Sequence, residues 1–151
     1  MTNPRLATEH ASAEDSIGLQ LWRVTNRWQA AIRAALRPFE LTHVQFVLLA
    51  SLTWLDAEGP VTQRHLAVHA GTDPMMTSQV LRVLESRQLV RRDPHPTDLR
   101  ARALVVTTAG RDLANRSVVA VEACDRDFFA ALGDRAATFL VSLRDLQGHS
   151  A

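Results

Sequence analysis

The sequence predicts a mainly α (α+β) fold, a succession of helices interrupted once, near residue 90, by a two-stranded hairpin. Three observations carry that prediction. Apolar residues recur at helical spacing over most of the chain from Ile17 onward. Helix-starting residues stand where those patterns begin, at Thr42, Thr62 and Asp73-Pro74. One segment alone shortens its period: Leu89–Arg92 and Ala103–Thr107 flank a stretch of turn formers. With 151 residues, 46% apolar and 22% charged, the chain has material for one domain with a real core.

Residues 1–15 are polar and aperiodic and predict a flexible tail, leaving 16–151 as a single domain. Ile17, Leu21, Val24, Trp28, Ala31 and Ala35 are spaced 4, 3, 4, 3, 4, the seam of a long helix that runs to about Arg37, before Pro38. At about 1.5 Å per residue it extends roughly 30 Å, which asks for more partner surface than one small chain supplies. Thr42-His43-Val44-Gln45 is a capping box. The helix it opens places Val44, Val47, Leu48, Leu52 and Leu55 inward and stops at Glu58-Gly59-Pro60. Thr62 caps a short helix closed by Ala70-Gly71, with Val61 stapled onto Leu66. Asp73 and Pro74 start the next, which runs to Arg87. On it Met76, Val80, Val83 and Leu84 form an apolar stripe, opposite Met75, Ser78, Gln79, Arg82 and Ser86. Beyond the hairpin, Thr107 or Thr108 caps a helix carrying Leu113, Val121, Cys124, Phe128 and Ala131. Gly133-Asp134 ends it and caps the last helix, with Phe139, Leu140, Leu143 and Leu146 on one side.

Charge is unevenly spread. The net charge is +1, and every one of the 17 basic side chains is Arg, a permanently charged fork of donors. Residues 60–116 hold nine Arg against five acids, while both flanks are slightly acidic. A basic middle third suggests a polyanionic partner. One cysteine excludes an internal disulfide and a Cys-based metal cluster. The longest uncharged stretch, Leu41 to Leu55, is too short to cross a bilayer, and no signal segment opens the chain. A soluble, cytoplasmic protein without membrane contact is therefore expected. Glycine-rich phosphate loops and nucleophile elbows are missing, so neither an enzyme nor a cofactor is expected.

Two short helices joined by a tight turn and followed by a hairpin make a winged helix-turn-helix. Its second helix presents small and hydrogen-bonding side chains early, where base edges lie when a helix N-terminus enters the major groove of double-stranded DNA. The Arg-flanked hairpin tip is placed to reach phosphate or a minor groove. Two rivals stand beside this: a small α+β domain whose polar helix face is merely wet, and a winged helix used for protein contacts alone.

The same residues carry a family resemblance. His65-Leu66-Ala67, the run Met76-Thr77-Ser78-Gln79-Val80-Leu81-Arg82-Val83-Leu84-Glu85, and Leu89-Val90-Arg91-Arg92 lead into Asp98-Leu99-Arg100 and Thr107-Thr108-Ala109-Gly110. Together they resemble the MarR family of bacterial transcriptional regulators, from about Leu19 to Leu146. The resemblance implies a homodimer on a pseudo-palindromic operator, usually a repressor released by a small anionic or phenolic effector, an oxidant or a metal. It implies Thr77, Ser78, Gln79 and Arg82 as recognition-helix residues. Arg100 and Arg102 become the wing residues, with Asp98 holding the wing arginines in place. Residues 16–40 and 108–151 would supply the dimerisation helices and 41–107 the DNA-binding winged helix. One position departs: the family commonly has Gly where Gln88 stands, and a non-Gly residue in a left-handed helix end costs about 1 kcal/mol.

Three further groups invite chemistry. Trp22, Arg23, Trp28, His43 and Phe46 are the material for an effector pocket, an aromatic wall with a cation that suits an aromatic carboxylate; they serve equally as interface core. His65 and His69, four apart on a helix, have the spacing of two metal ligands but lack an evident third, so no metal site is expected. Cys124 lies on an apolar stripe beside Asp125 and Asp127, an environment for a buried structural thiol and not for a redox sensor.

Overall fold

The computed structural model describes residues 6–148. The helices are α1 (Ile17–Leu36), α2 (His43–Asp56), α3 (Gln63–Ala70), α4 (Pro74–Ser86), α5 (Thr108–Phe129) and α6 (Ala136–Leu146), with strands β1 (Val90–Pro94) and β2 (Arg102–Val106) between α4 and α5. Three 3₁₀ turns, Ala13–Asp15, Arg37–Phe39 and Ala130–Arg135, complete the order. This is the mainly α architecture with one hairpin. No helix among the described residues is long and apolar enough to cross a membrane.

The helix starts form where local chemistry places them. Thr42 accepts from the Gln45 amide at 3.2 Å while the Gln45 side chain accepts from the Thr42 amide at 3.1 Å. Thr62 caps α3 by accepting from the His65 amide at 3.1 Å, and Asp73 caps α4 by accepting from the Met76 amide at 2.8 Å. Each satisfies an amide that the helix itself leaves unpaired. The start of α6 differs from expectation. Gly133 (φ 56) breaks the chain inside a 3₁₀ turn, and α6 begins after Arg135 without a side-chain cap, so Asp134 does not cap it. The tail expectation also changes at its end. Residues 1–5 lie outside the described ones, but Ser12 caps the Ala13–Asp15 turn and Glu14 accepts from Arg23 at 2.8 Å and Gln20 at 2.9 Å, tying it to α1.

Helix α2 is the hub, packed against α1, α3, α4, α5 and β2. It is enclosed on several sides, so its buried residues (Phe46, Leu48, Leu49, Leu52, Leu55) spread around it, while Val44 and Val47 are only half-buried. On α4 the inward side is Thr77, Leu81 and Leu84; Met76 and Val83, expected inside, are exposed. On α1 only Ile32 and Leu36 are buried, whereas Ile17 (84% exposed), Leu21 and Val24 of the expected seam face solvent.

The hairpin is antiparallel, in register from Val90↔Val106 to Pro94↔Arg102, and Leu104 donates to the Val61 carbonyl at 2.7 Å, adding a short third rung. Gln88 keeps the left-handed conformation (φ 60) that glycine would hold, so the α4–β1 corner turns without one. Its carbonyl accepts from the Thr107 hydroxyl at 2.7 Å, and the Thr107 hydroxyl oxygen in turn caps α5 by accepting from the Gly110 amide at 3.0 Å. A Cβ at Gly110 would overlap the Leu89 carbonyl. Backbone on both sides leaves no side chain free to give way. Gly110→Ala is therefore expected to lower the unfolding free energy by about 2 kcal/mol or more, measured by urea denaturation; an unchanged midpoint would show that α5 can slide.

Candidate nucleic-acid interface

Helices α3 and α4 meet through a three-residue turn. Gly71 (φ 68) ends α3 in the left-handed region, Thr72 donates its amide to the Ala67 carbonyl at 3.0 Å, and Asp73 opens α4. Inside this turn Thr77 is fully buried. Its hydroxyl donates to the Asp73 carbonyl at 2.8 Å, so the 2.7 Å contact with Thr72 has the Thr72 hydroxyl as donor. Thr77 thus clamps the corner and does not face outward; its place among the DNA-contacting residues is corrected. Deleting that hydroxyl in Thr77→Val should cost about 1–3 kcal/mol by removing both of its hydrogen bonds at once, read in urea, while the folded variant keeps parent-like duplex affinity. A normal midpoint with weakened duplex binding would return Thr77 to the DNA-facing surface.

The outward face of α4 shows Gln79 and Arg82 exposed and Ser78 half-buried. Arg64 on α3 is exposed on the same lobe. In the wing, Arg100 and Arg102 are exposed; Arg102 donates to the Arg92 carbonyl at 3.4 Å. Asp98 accepts from the Arg100 backbone amide at 3.0 Å and takes part in none of the ion pairs among the described residues. It braces the main chain of the wing instead of holding the arginine side chains, because the turn brings an amide and not a guanidinium to its carboxylate. His95 does similar work unforeseen: its Nδ1 accepts from the Thr97 and Asp98 amides at 3.2 and 3.0 Å. A histidine between two prolines carries no sequence signal for that role. Arg92 pairs with Glu85 at 2.7 Å and fixes β1 against α4.

A cleft of about 510 Å³ opens between α1, α2 and the helix-turn-helix corner, lined among others by Trp28, Arg33, His43, Thr72 and Met76. The Trp28 and His43 rings meet edge-on at 5.1 Å, and the Trp28 indole donates to Asp125 on α5 at 2.8 Å. Of the five residues expected here, Trp28 and His43 are brought together. Trp22 is 68% exposed, Arg23 is paired with Glu14, and Phe46 is buried in the core, so those three are corrected. The cation at the cleft is Arg33, five residues after Trp28, which the sequence did not single out.

Burial holds the His43 imidazole below its usual 6.5; Asp125 opposes this and Arg33 adds to it. The unfolded chain therefore binds the proton more readily, and folding stability should fall as pH drops below 6.5. Urea midpoints at pH 7.5 and 5.5 check it: the drop should shrink in His43→Gln, and an equal drop in both would assign it elsewhere. Cys124 is partly and not fully buried, its thiol pushed up by burial and then by Asp125 and Asp127, so it does not favour the reactive thiolate. His65 and His69 are exposed on α3, and no cluster of three or more metal-ligating side chains occurs among the described residues.

The sequence profile of the MarR family matches residues 41–101, the whole corner and most of the wing. The chain is 40% identical over 135 residues to the uncharacterized HTH-type transcriptional regulator YdcH of Bacillus subtilis, covering 89% of this chain and 91% of that one. The chain belongs to the MarR family. This regulator is also 34% identical to the HTH-type transcriptional repressor Rv2887 of Mycobacterium tuberculosis, over 80% of this chain and 85% of the relative. Among solved structures, CouR from Rhodococcus jostii, bound to p-coumaroyl-CoA, superimposes with a TM-score of 0.76 at 29% identity, over 91% of this chain and 93% of CouR. This MarR-family protein is accordingly a DNA-binding transcriptional regulator, with the winged helix-turn-helix as its binding lobe.

Proposed function

We propose that this regulator acts in the cytoplasm as a homodimeric repressor, seating two copies of α4 in successive major grooves of a pseudo-palindromic operator and releasing it when a small aromatic anion binds. The observation that carries the reading is the pairing of an exposed polar α4 face with an arginine-bearing wing: Gln79, Arg82, Arg100 and Arg102 are all exposed, on a segment, 60–116, that holds nine Arg against five acids. Ser78, Gln79 and Arg82 are the base-reading set, and Arg100 and Arg102 the phosphate or minor-groove set. Ile17, Leu21 and Val24 along one stripe of α1, together with the exposed Leu140 and Leu146 on α6, leave apolar surface that a second copy would cover, which supports 16–40 and 108–151 as the dimer lobe around a 41–107 binding lobe. The cleft with Trp28, His43 and Arg33 supports the effector: rings for an aromatic body, a guanidinium for its charge. The repressor Rv2887 and the p-coumaroyl-CoA bound in CouR point the same way.

A salt titration on preferred and random duplexes tests the reading. Two chains per duplex are expected, with affinity falling steeply as salt rises. Arg100→Ala should weaken binding to every sequence and reduce the log–log salt slope by about one unit for each phosphate it no longer neutralises. Gln79→Ala or Arg82→Ala should cost about 1–3 kcal/mol on the preferred duplex alone. Binding by none of these proteins, the parent included, would leave a winged helix used for protein contacts.

A further inference from the structure

Met75 stands where the polar reading of α4 does not account for it. It is the second residue of the helix, just after Pro74 at the capped end, and it is 72% exposed. Gln79 and Arg82 lie four and seven positions further on, so the three share one stripe, while Thr77, Leu81 and Leu84 face the core. Met75 therefore covers no core and sits amid the side chains of the outward face. Its neighbour Met76 turns instead toward the cleft beside Trp28 and His43.

We propose that Met75 reads sequence, by packing its thioether against the C5-methyl of a thymine in each half of the operator; this rests on α4 being the groove-reading helix. The groove edges explain the choice. Donors and acceptors line the floor of the major groove, and the thymine methyl is its one apolar feature. Phosphates call for donors, and a methionine has none to give. First-turn residues of a recognition helix are those that reach base edges. An unbranched side chain with three rotatable bonds adapts to a methyl without demanding a fixed approach. The resulting operator carries a thymine at the position facing the start of α4.

The test is a methyl deletion on the DNA matched to a deletion on the protein. A preferred duplex is first selected from a random-sequence library, and each of its thymines is then replaced in turn by deoxyuridine, which removes the methyl and leaves every donor and acceptor. One symmetric position should cost the parent about fourfold per half-site, the weight of one buried methyl group. Met75→Ala should weaken by the same factor on the thymine duplex, bind thymine and deoxyuridine alike at that position, and unfold at the parent's temperature. The proposal is overturned if no thymine methyl matters to the parent, or if Met75→Ala responds to its removal as strongly. Failure to select any preferred duplex, with salt-dependent binding to random DNA intact, overturns the groove-reading role of α4 itself and is distinct from either result.

Discussion

The Thr107 hydroxyl is the interaction on which the rest of this architecture hangs. It donates to the Gln88 carbonyl at the end of α4 and accepts from the Gly110 amide at the start of α5. Three elements meet there: α4, the second helix of the helix-turn-helix, the start of the wing at β1, and the long helix α5. The glycine lets backbone meet backbone, and Gln88 tolerates a left-handed conformation to turn the corner. A shift at this joint would move α4 and the wing relative to one another, and both must match one face of a duplex whose grooves have fixed spacing.

Arginines divide by what they do. Arg23, Arg91, Arg92 and Arg111 each have a carboxylate partner, at 2.7 to 3.2 Å, and each joins neighbouring residues or elements. Exposed pairs of this kind contribute about 0–1 kcal/mol, so their value lies in geometry: Arg92–Glu85 fixes β1 against α4, and Arg111–Asp56 fixes α5 against α2. Arg82 and Arg100, like most of the other arginines, take part in none of these pairs, and both are exposed on the winged helix-turn-helix.

The cleft beside α4 has a second consequence. Its walls come from α1 and α2 on one side and from Ala70, Thr72 and Met76 on the other. Thr72 is also the residue that donates to Thr77 inside the corner. A ligand seated against Trp28 and Arg33 would therefore press on the same turn that sets the angle between α3 and α4. Trp28 is itself held by Asp125, so one wall of the cleft is tied to α5 and the other belongs to the winged helix-turn-helix.

What the sequence determined by itself is whatever chemistry settles within a turn or two. Thr42, Thr62, Asp73-Pro74 and Thr107 open helices because each satisfies amides three residues away, and the β-branched run after Ala103 forms a strand for an equally local reason. The family resemblance was legible in equally local signals, the runs His65-Leu66-Ala67, Met76 to Glu85 and Leu89 to Arg92 with Asp98-Leu99-Arg100 and Thr107-Thr108-Ala109-Gly110. What only the tertiary structure decided is which side of a helix meets which neighbour. Thr77 is drawn inward because the α3–α4 corner closes over it; Phe46 is core because α2 is surrounded; Arg33, not Arg23, reaches the cleft because α1 turns its C-terminal half toward α2. Asp98 finds an amide in place of a guanidinium because the wing tip folds back on itself. Helical periodicity gives a stripe but not its bearing, and the bearing is fixed by packing between residues distant in the chain.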